Sequence, residues 1–399
     1  MAFFRGDATI AATCYHRGDQ LKSTTKGKNT AMAMAGNIHL APFEALCLRY
    51  GQCYSAIDKA RRLADEQLKA IENLLYDASI DLGDTLSLVV FGSLARREAT
   101  SGSDVDWTLL VDGPVDAEHV RVADRIREIF TGANLVQPGG TGTFGTLASS
   151  HDIVHHIGGL EDTNRNMTRR LLLLMESRAF GDNLVRSRVI RAVLDRYIYW
   201  GRGLPARGQP RLRVPRFLLN DVVRYWRTIA VDYAAKKWEQ ADKKWALRNS
   251  KLRVTRKMTF VKGLLLCFDC ELFPESLPWS SANKASLSSW EVADRWLASG
   301  CEKLVQETPI DLLSRVLNSL NLQDLARELF GAYDEFLSLI DDTSVRDGLE
   351  KLSFDDAAPD PYFDLIRNNV GQRFGDGLER LLFTESDDLS HLTKKYGLF

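Results

Sequence analysis

The stretch from Phe91 to Leu110 constrains this chain more than any other: Phe-Gly-Ser-Leu-Ala-Arg-Arg-Glu-Ala-Thr-Ser-Gly-Ser-Asp-Val-Asp-Trp-Thr-Leu-Leu. The apolar run Leu86 to Phe91 predicts a strand closed by Gly92-Ser93, and Val105 to Val111 predicts a second, ended by Asp112-Gly113-Pro114. Residues two apart on a strand project to one face, which sends Asp104 and Asp106 the same way. Two carboxylates a few ångströms apart repel unless a cation lies between them. Hard oxygen ligands at that separation suit Mg²⁺ or Mn²⁺, ions that keep several waters and take phosphate oxygens as further ligands. Gly92 would let backbone approach a triphosphate closely, and Ser93 would offer a hydroxyl to a phosphate oxygen. A Gly-Ser turn followed by acids that merely close a loop is the alternative, open at this point.

Around this segment the pattern predicts an α+β chain, with a small mixed-sheet lobe carrying helices and a mostly helical C-terminal lobe. Residues 1–36 are polar and without period, and read as a flexible arm. Apolar residues recur at three and four from Phe43 to Tyr76, the mark of one long helix or a broken pair. A helix over Asp116 to Phe130, a Gly-rich loop from Pro138 to Gly145 and a third strand over Asp152 to Ile157 follow. From the capping run Asp162-Thr163-Asn164 onward the chain reads as helical. Gly and Pro between Gly201 and Pro215 interrupt that pattern, giving domains at 37–200 and 201–399. Apolar residues at 45% and charged ones at 26% exclude collagen-like and wholly disordered chains. Apolar runs such as Leu171 to Met175 fall far short of a membrane span, and no signal peptide is expected at Met1 to Asp7. Six irregularly spaced cysteines form no disulfide framework. A reduced, cytoplasmic protein without a membrane partner is therefore expected.

The net charge of −1 conceals a strong internal polarity. Arg211 to Lys262 holds fifteen Lys and Arg against four acids, whereas Gly331 to Phe399 holds seven basic residues against fifteen acidic ones. A basic block in a neutral protein suggests a surface that meets phosphate, as nucleotide or nucleic acid; two solvated helix faces explain it equally well.

With Gly92-Ser93 and Asp104-Val105-Asp106 on consecutive strands, the segment resembles the DNA polymerase β type nucleotidyltransferase superfamily. Arg96-Arg97-Glu98 and Ser103-Asp104 look most like bacterial branches near the protein uridylyl- and adenylyltransferases, and also like antiphage nucleotidyltransferases. The motif spans about twenty residues, and the compatible order of strands and helices runs to Phe180. The resemblance implies two Mg²⁺ or Mn²⁺ ions held by Asp104, Asp106 and a third carboxylate on a later strand. Asp152 is the first choice for the third, and Asp162, which looks like a cap, the second. It also implies phosphate contacts from a later helix and an aromatic for the base, assigned to Arg224, Tyr225, Arg253 and Lys257. Arg96 would reach a phosphate with Glu98 orienting it, unless the two form a surface ion pair. Trp226, Trp238 and Trp245 interleave with the charges, as base stacking or core.

The implied activity is transfer of a nucleoside monophosphate from an NTP or dNTP to a hydroxyl of nucleic acid or a growing oligonucleotide, with a messenger role in phage defence as one version. Modification of a protein side chain is the alternative, and an inactive scaffold of the same fold a third. Other motifs are weaker. His151, His155 and His156 cluster without a cysteine, and strand alternation would part the last two, which argues against zinc. Cys267 and Cys270 sit in an apolar helical context as core thiols. The Gly-rich loop lacks a P-loop ending, and the acidic tail would cover the basic block, bind a partner or simply be solvated.

Overall fold

The structure is a computed structural model and describes residues 40–138, 143–181, 184–200, 212–239, 244–274 and 289–397. The expected arm at 1–36, Gly139 to Gly142 of the Gly-rich loop and most of the expected boundary at 201–215 lie outside the described residues. The chain divides into two compact units, Met1–Cys53 and Tyr54–Phe399. The described part of the first contains helix α1 (Pro42–Tyr50), which begins on a proline and ends at Gly51 with φ +62°.

The second unit opens with α2 (Ser55–Asp77), so the long apolar period is a broken pair. Strand β1 (Leu86–Phe91) leads into the short α3 (Gly92–Ala95) and a loop to β2 (Trp107–Val111). Helix α4 (Ala117–Gly132) crosses over to β3 (Thr146–Ser149), which pairs parallel with β2. After α5 (Ser150–His155) and α6 (Asn164–Met175), strand β4 (Ser177–Ala179) returns antiparallel to β1. The mixed sheet therefore runs β3-β2-β1-β4. All six residues of β1 are buried, as a central strand covered on both faces requires. Leu88 and Val90 join Trp107, Leu109 and Val111 in a core closed by Ile71 and Leu75 of α2 and by Ala123, Ile126 and Phe130 of α4.

The expected third strand at Asp152 to Ile157 is a helix. Ser149 ends β3 and caps α5, its Oγ accepting from His151 N at 3.1 Å, and Ile153 and Val154 are buried within one helical turn instead of alternating. Thr163 caps α6 in the same way, accepting from Asn166 N at 3.2 Å.

The rest is helical: α7 (Leu184–Trp200), α8 (Arg216–Glu239), α9 (Trp245–Arg253), α10 (Thr255–Leu272), α11 (Trp290–Gln306), α12 (Pro309–Ser319), α13 (Gln323–Asp341), α14 (Thr343–Lys351), the short α15 (Phe354–Ala357) and α16 (Pro361–Leu365), a π-helical turn (Ile366–Val370), α17 (Gly371–Phe383) and α18 (Asp387–Tyr396). The molecule is thus mostly helical with one small sheet, an α+β arrangement. Every residue of α10 from Val261 to Cys270 is buried, and the helix packs on α8, α11 and α12. Helix α13 packs on α2, where Asp334 Oδ1 accepts from Ile57 N at 2.8 Å. The acidic stretch after Gly331 therefore lies partly against the N-terminal end of this unit. No helix among the described residues is long and apolar enough to cross a membrane.

Candidate functional site

Gly92 begins where β1 ends, with φ +69°, and an added Cβ would stand 3.2 Å from Asp106 Oδ2. Both the left-handed backbone and the close carboxylate favour glycine. Phe91 N donates to Asp106 O at 2.8 Å, holding the residues just before β2 beside the end of β1. Val105 is buried in the sheet core while Asp104 and Asp106 face one cavity together. Strand alternation therefore begins before the ladder of β2 does. Burial, then Asp104, push the Asp106 carboxyl up to about 7, against the pull of Arg256 and Lys251.

That cavity, about 40 Å³, is lined by Gly92, Ser93, Asp104, Asp106, Lys251 and Arg256, among others. Ser93 Oγ donates to Ser103 Oγ at 3.1 Å, so its hydroxyl helps to fix the loop before Asp104. A space of this size holds a few waters or one hydrated ion. A wider chamber of about 230 Å³ shares Lys251 and Arg256 with it and adds Phe144, Tyr225, Tyr233 and Arg248. Burial pushes the Lys251 ammonium down to about 8, with Asp104 opposing.

The expected third carboxylate is not at the pair. Asp152 lies in the first turn of α5, its side chain half exposed and 3.8 Å from His156 Nδ1, and it does not line the cavity. The loss of the expected strand removes the reason for choosing it. Asp162 is buried against Arg170 and accepts from Gly158 N at 3.1 Å. The acid nearest in effect is Glu176, between α6 and β4, which acts electrostatically on Asp106. Its oxygens are already taken, by Arg96 Nη1 at 2.5 Å, Arg256 Nη1 at 3.0 Å and Thr259 Oγ1 at 2.9 Å. Burial works to raise its pKa, but Arg96 and Arg256 outweigh burial and hold it below the ordinary carboxylate range. Among the described residues no group of three or more His, Cys, Asp and Glu is arranged to hold a metal ion. The two aspartates fit an Mg²⁺ or Mn²⁺ that keeps waters and takes substrate oxygens; a three-carboxylate cage does not fit.

Arg96 lies at the same cavity. It is buried, its Nε donating to Glu98 Oε2 at 2.7 Å while Nη1 serves Glu176, so the pair with Glu98 is not a surface contact, and both residues line the cavity that Asp104 and Asp106 face. Burial raises the Glu98 carboxyl pKa even against that guanidinium. Lys251 and Arg256 line that cavity too, two members of a dense basic run that sequence alone does not sort by direction.

Of the other expected contacts, Tyr225 lines the chamber and is 2% exposed. Arg224 stands outside it, bonded to Asn164 Oδ1 at 3.3 Å on a separate groove. Arg253 Nε donates to Asn249 Oδ1 at 2.6 Å, and Lys257 Nζ would meet a Cβ at Gly375 at 2.8 Å; neither lines these three cavities. Trp226 stacks on Phe260 and Trp245 packs on Phe363, both tryptophans half-buried; the Trp238 side chain lies outside the described residues. On a helix rather than a strand, His151 comes within 4.9 Å of His155 and 5.2 Å of His156, ring to ring. Cys267 and Cys270 are buried thiols, as expected.

The loop that delivers Asp104 is held from far along the chain. Arg346 of α14 donates to Gly102 O and, at 3.2 Å, to Thr100 Oγ1. Ser101 N donates to Asp341 Oδ1 at 3.0 Å, and Asp341 pairs with Lys59 at 2.6 Å. Glu350 pairs with Arg346 at 3.5 Å and with Lys244, before α9, at 3.0 Å. No protein-family model and no curated protein sequence matches the chain.

Proposed function

We propose that this chain is a metal-dependent nucleotidyltransferase, moving a nucleoside monophosphate from an NTP or dNTP to a hydroxyl. The observation that carries the reading is the pair Asp104–Asp106 facing a cavity shared with Lys251 and Arg256, beneath a glycine whose left-handed backbone and close carboxylate disfavour any side chain. A divalent ion bound by the two aspartates would offset the charge of the triphosphate and of the departing pyrophosphate. Lys251 and Arg256 grip phosphate oxygens where the closed cavity meets the chamber. Glu176, which also accepts from the Thr259 hydroxyl, holds Arg256 from behind, so its guanidinium is oriented before substrate arrives. The donor base then extends into the chamber beside Tyr225 and Phe144. In the reaction an acceptor hydroxyl oxygen bonds to the α-phosphorus, the bond to pyrophosphate breaks, and the hydroxyl proton leaves to water.

A second reading, nucleotide binding without transfer, draws on the engagement of Glu176 by two guanidiniums, which leaves two acids at the pair. Incubation with Mg²⁺ and each labelled NTP and dNTP, alone and then with RNA, DNA or lysate, separates the two. The proposal expects pyrophosphate release and labelled product that disappear in Asp104→Asn and Asp106→Asn. Nucleotide bound but never cleaved, under every one of these conditions, supports the second reading and ends the first.

A further inference from the structure

Beyond the chamber, a groove of about 440 Å³ runs along α8, and its lining from that helix is regular: Asn220, Arg224, Arg227, Thr228, Val231 and Asp232. These positions, with Val223, recur at three and four and mark one helical face, about 18 Å long at the usual rise per residue. Asn164 lines the facing side. Asp232 borders both groove and chamber, and Lys251 and Arg256 border both chamber and closed cavity. The lining is therefore continuous from the aspartate pair to Arg227.

Resting on the nucleotidyltransferase reading, we infer that this groove is the acceptor site and that its ligand is the terminal stretch of a single-stranded nucleic acid. Two features point to a phosphate chain. Arg224 and Arg227 stand one turn apart on the same face; Arg224 has loose ion pairs to Asp162 at 3.7 Å and Asp221 at 3.9 Å, whereas among the described residues Arg227 makes no hydrogen bond or ion pair. Asn164, Asn220 and Thr228 supply neutral polar groups between the cations, while Val223 and Val231 offer apolar surface to bases.

The position agrees with the chemistry. In a nucleic acid the 3′ oxygen of one nucleotide is bonded to the phosphorus of the next, and neighbouring bases stack. A donor with its triphosphate at Lys251 and Arg256 and its base in the chamber leaves the place of the preceding nucleotide on the chamber's outer side. That side is the groove. A protein side chain as acceptor brings no phosphates to meet two guanidiniums.

Fluorescence anisotropy with labelled single-stranded RNA and DNA octamers, on the full chain without nucleotide or metal, tests this directly. Wild type should bind an octamer with affinity that falls steeply with salt. Arg227→Glu should weaken binding about tenfold or more and flatten the dependence on salt by about one unit of log–log slope, with Arg224→Ala acting in the same direction. Absence of octamer binding by wild type, or equal affinity in wild type and Arg227→Glu, overturns the groove. The assay stands apart from catalysis. Nucleotide transfer confined to protease-sensitive products, or transfer to an oligonucleotide as fast in Arg227→Glu as in wild type, overturns the groove and leaves the reaction standing. Octamer binding through Arg227 with no transfer to any acceptor sinks the reaction instead.

Discussion

At the scale of single residues, carboxylates that look alike in sequence divide by what surrounds them. Asp106 sits beside Asp104 with its charge disfavoured, whereas Glu176 is held ionised by two guanidiniums. Removing one charge from the pair should therefore relieve the fold as it disables the site. Asp106→Asn is expected to raise the metal-free melting temperature by about 2 °C or more and to lower turnover at least about 100-fold; a lower melting temperature would contradict the repulsion. Glu176→Ala should act oppositely, taking one of two buried partners from Arg96 and the ion pair from Arg256 at a cost of about 3 kcal/mol, which denaturant midpoints will show. Lys262, buried on α10, donates to Val305 O at 3.2 Å and Glu307 O at 2.5 Å, and burial pushes its ammonium down to about 7. Its folded pKa lies below the unfolded value of about 10.4, so the unfolded chain holds more protons between those limits and stability rises with pH across them. Below pH 7 the cost of the buried charge is carried in full. Lys262→Met should flatten the rise in melting temperature between pH 7 and pH 10, and parallel curves for the two proteins would refute this.

At the scale of elements, strands with a buried run or a clear alternation were readable and short ones were not. Leu86 to Phe91 and the turn at Gly92 declare themselves through apolar composition and one residue type. Ser177–Ala179 carries no period at all, so β4, and with it the placing of Glu176, is set by pairing to β1. Ile153 and Val154 have strand propensity, but the Ser149 cap and burial prevail. The basic run was visible as composition, yet the directions of Lys251, Arg253, Arg256 and Lys257 depend on how α9 and α10 meet their neighbours. The loop between α3 and β2 gives a matched test. A Cβ at Gly102 would lie 2.6 Å from Arg346 Nε, so Gly102→Ala and Arg346→Ala should disturb the same contact from its two ends. Arg346→Ala is expected to cost about 1–3 kcal/mol and Gly102→Ala less, because the guanidinium end can shift; both should weaken Mn²⁺ binding, measured by titration. The double variant should lose less than the sum of the two.

At the scale of the whole molecule, the charge polarity seen in the sequence is partly internal. Lys244 pairs with Glu350, and Lys257 lies within the electrostatic reach of Asp376 and Glu379, so acidic helices after Gly331 neutralise part of the basic block. Other cations of the block, Arg224, Arg227, Lys251 and Arg256 among them, line the chamber and the groove. Helices α13 and α14 also reach back to Lys59, Ser101 and Gly102, contacts that no local pattern foretells. Both aspartates are synthesised long before Asp341 and Arg346, the residues that steady their loop. During translation the growing polypeptide therefore carries its acids without their support, and a message cut short upstream of α14 yields a chain whose Asp104 loop lacks the Arg346 contacts.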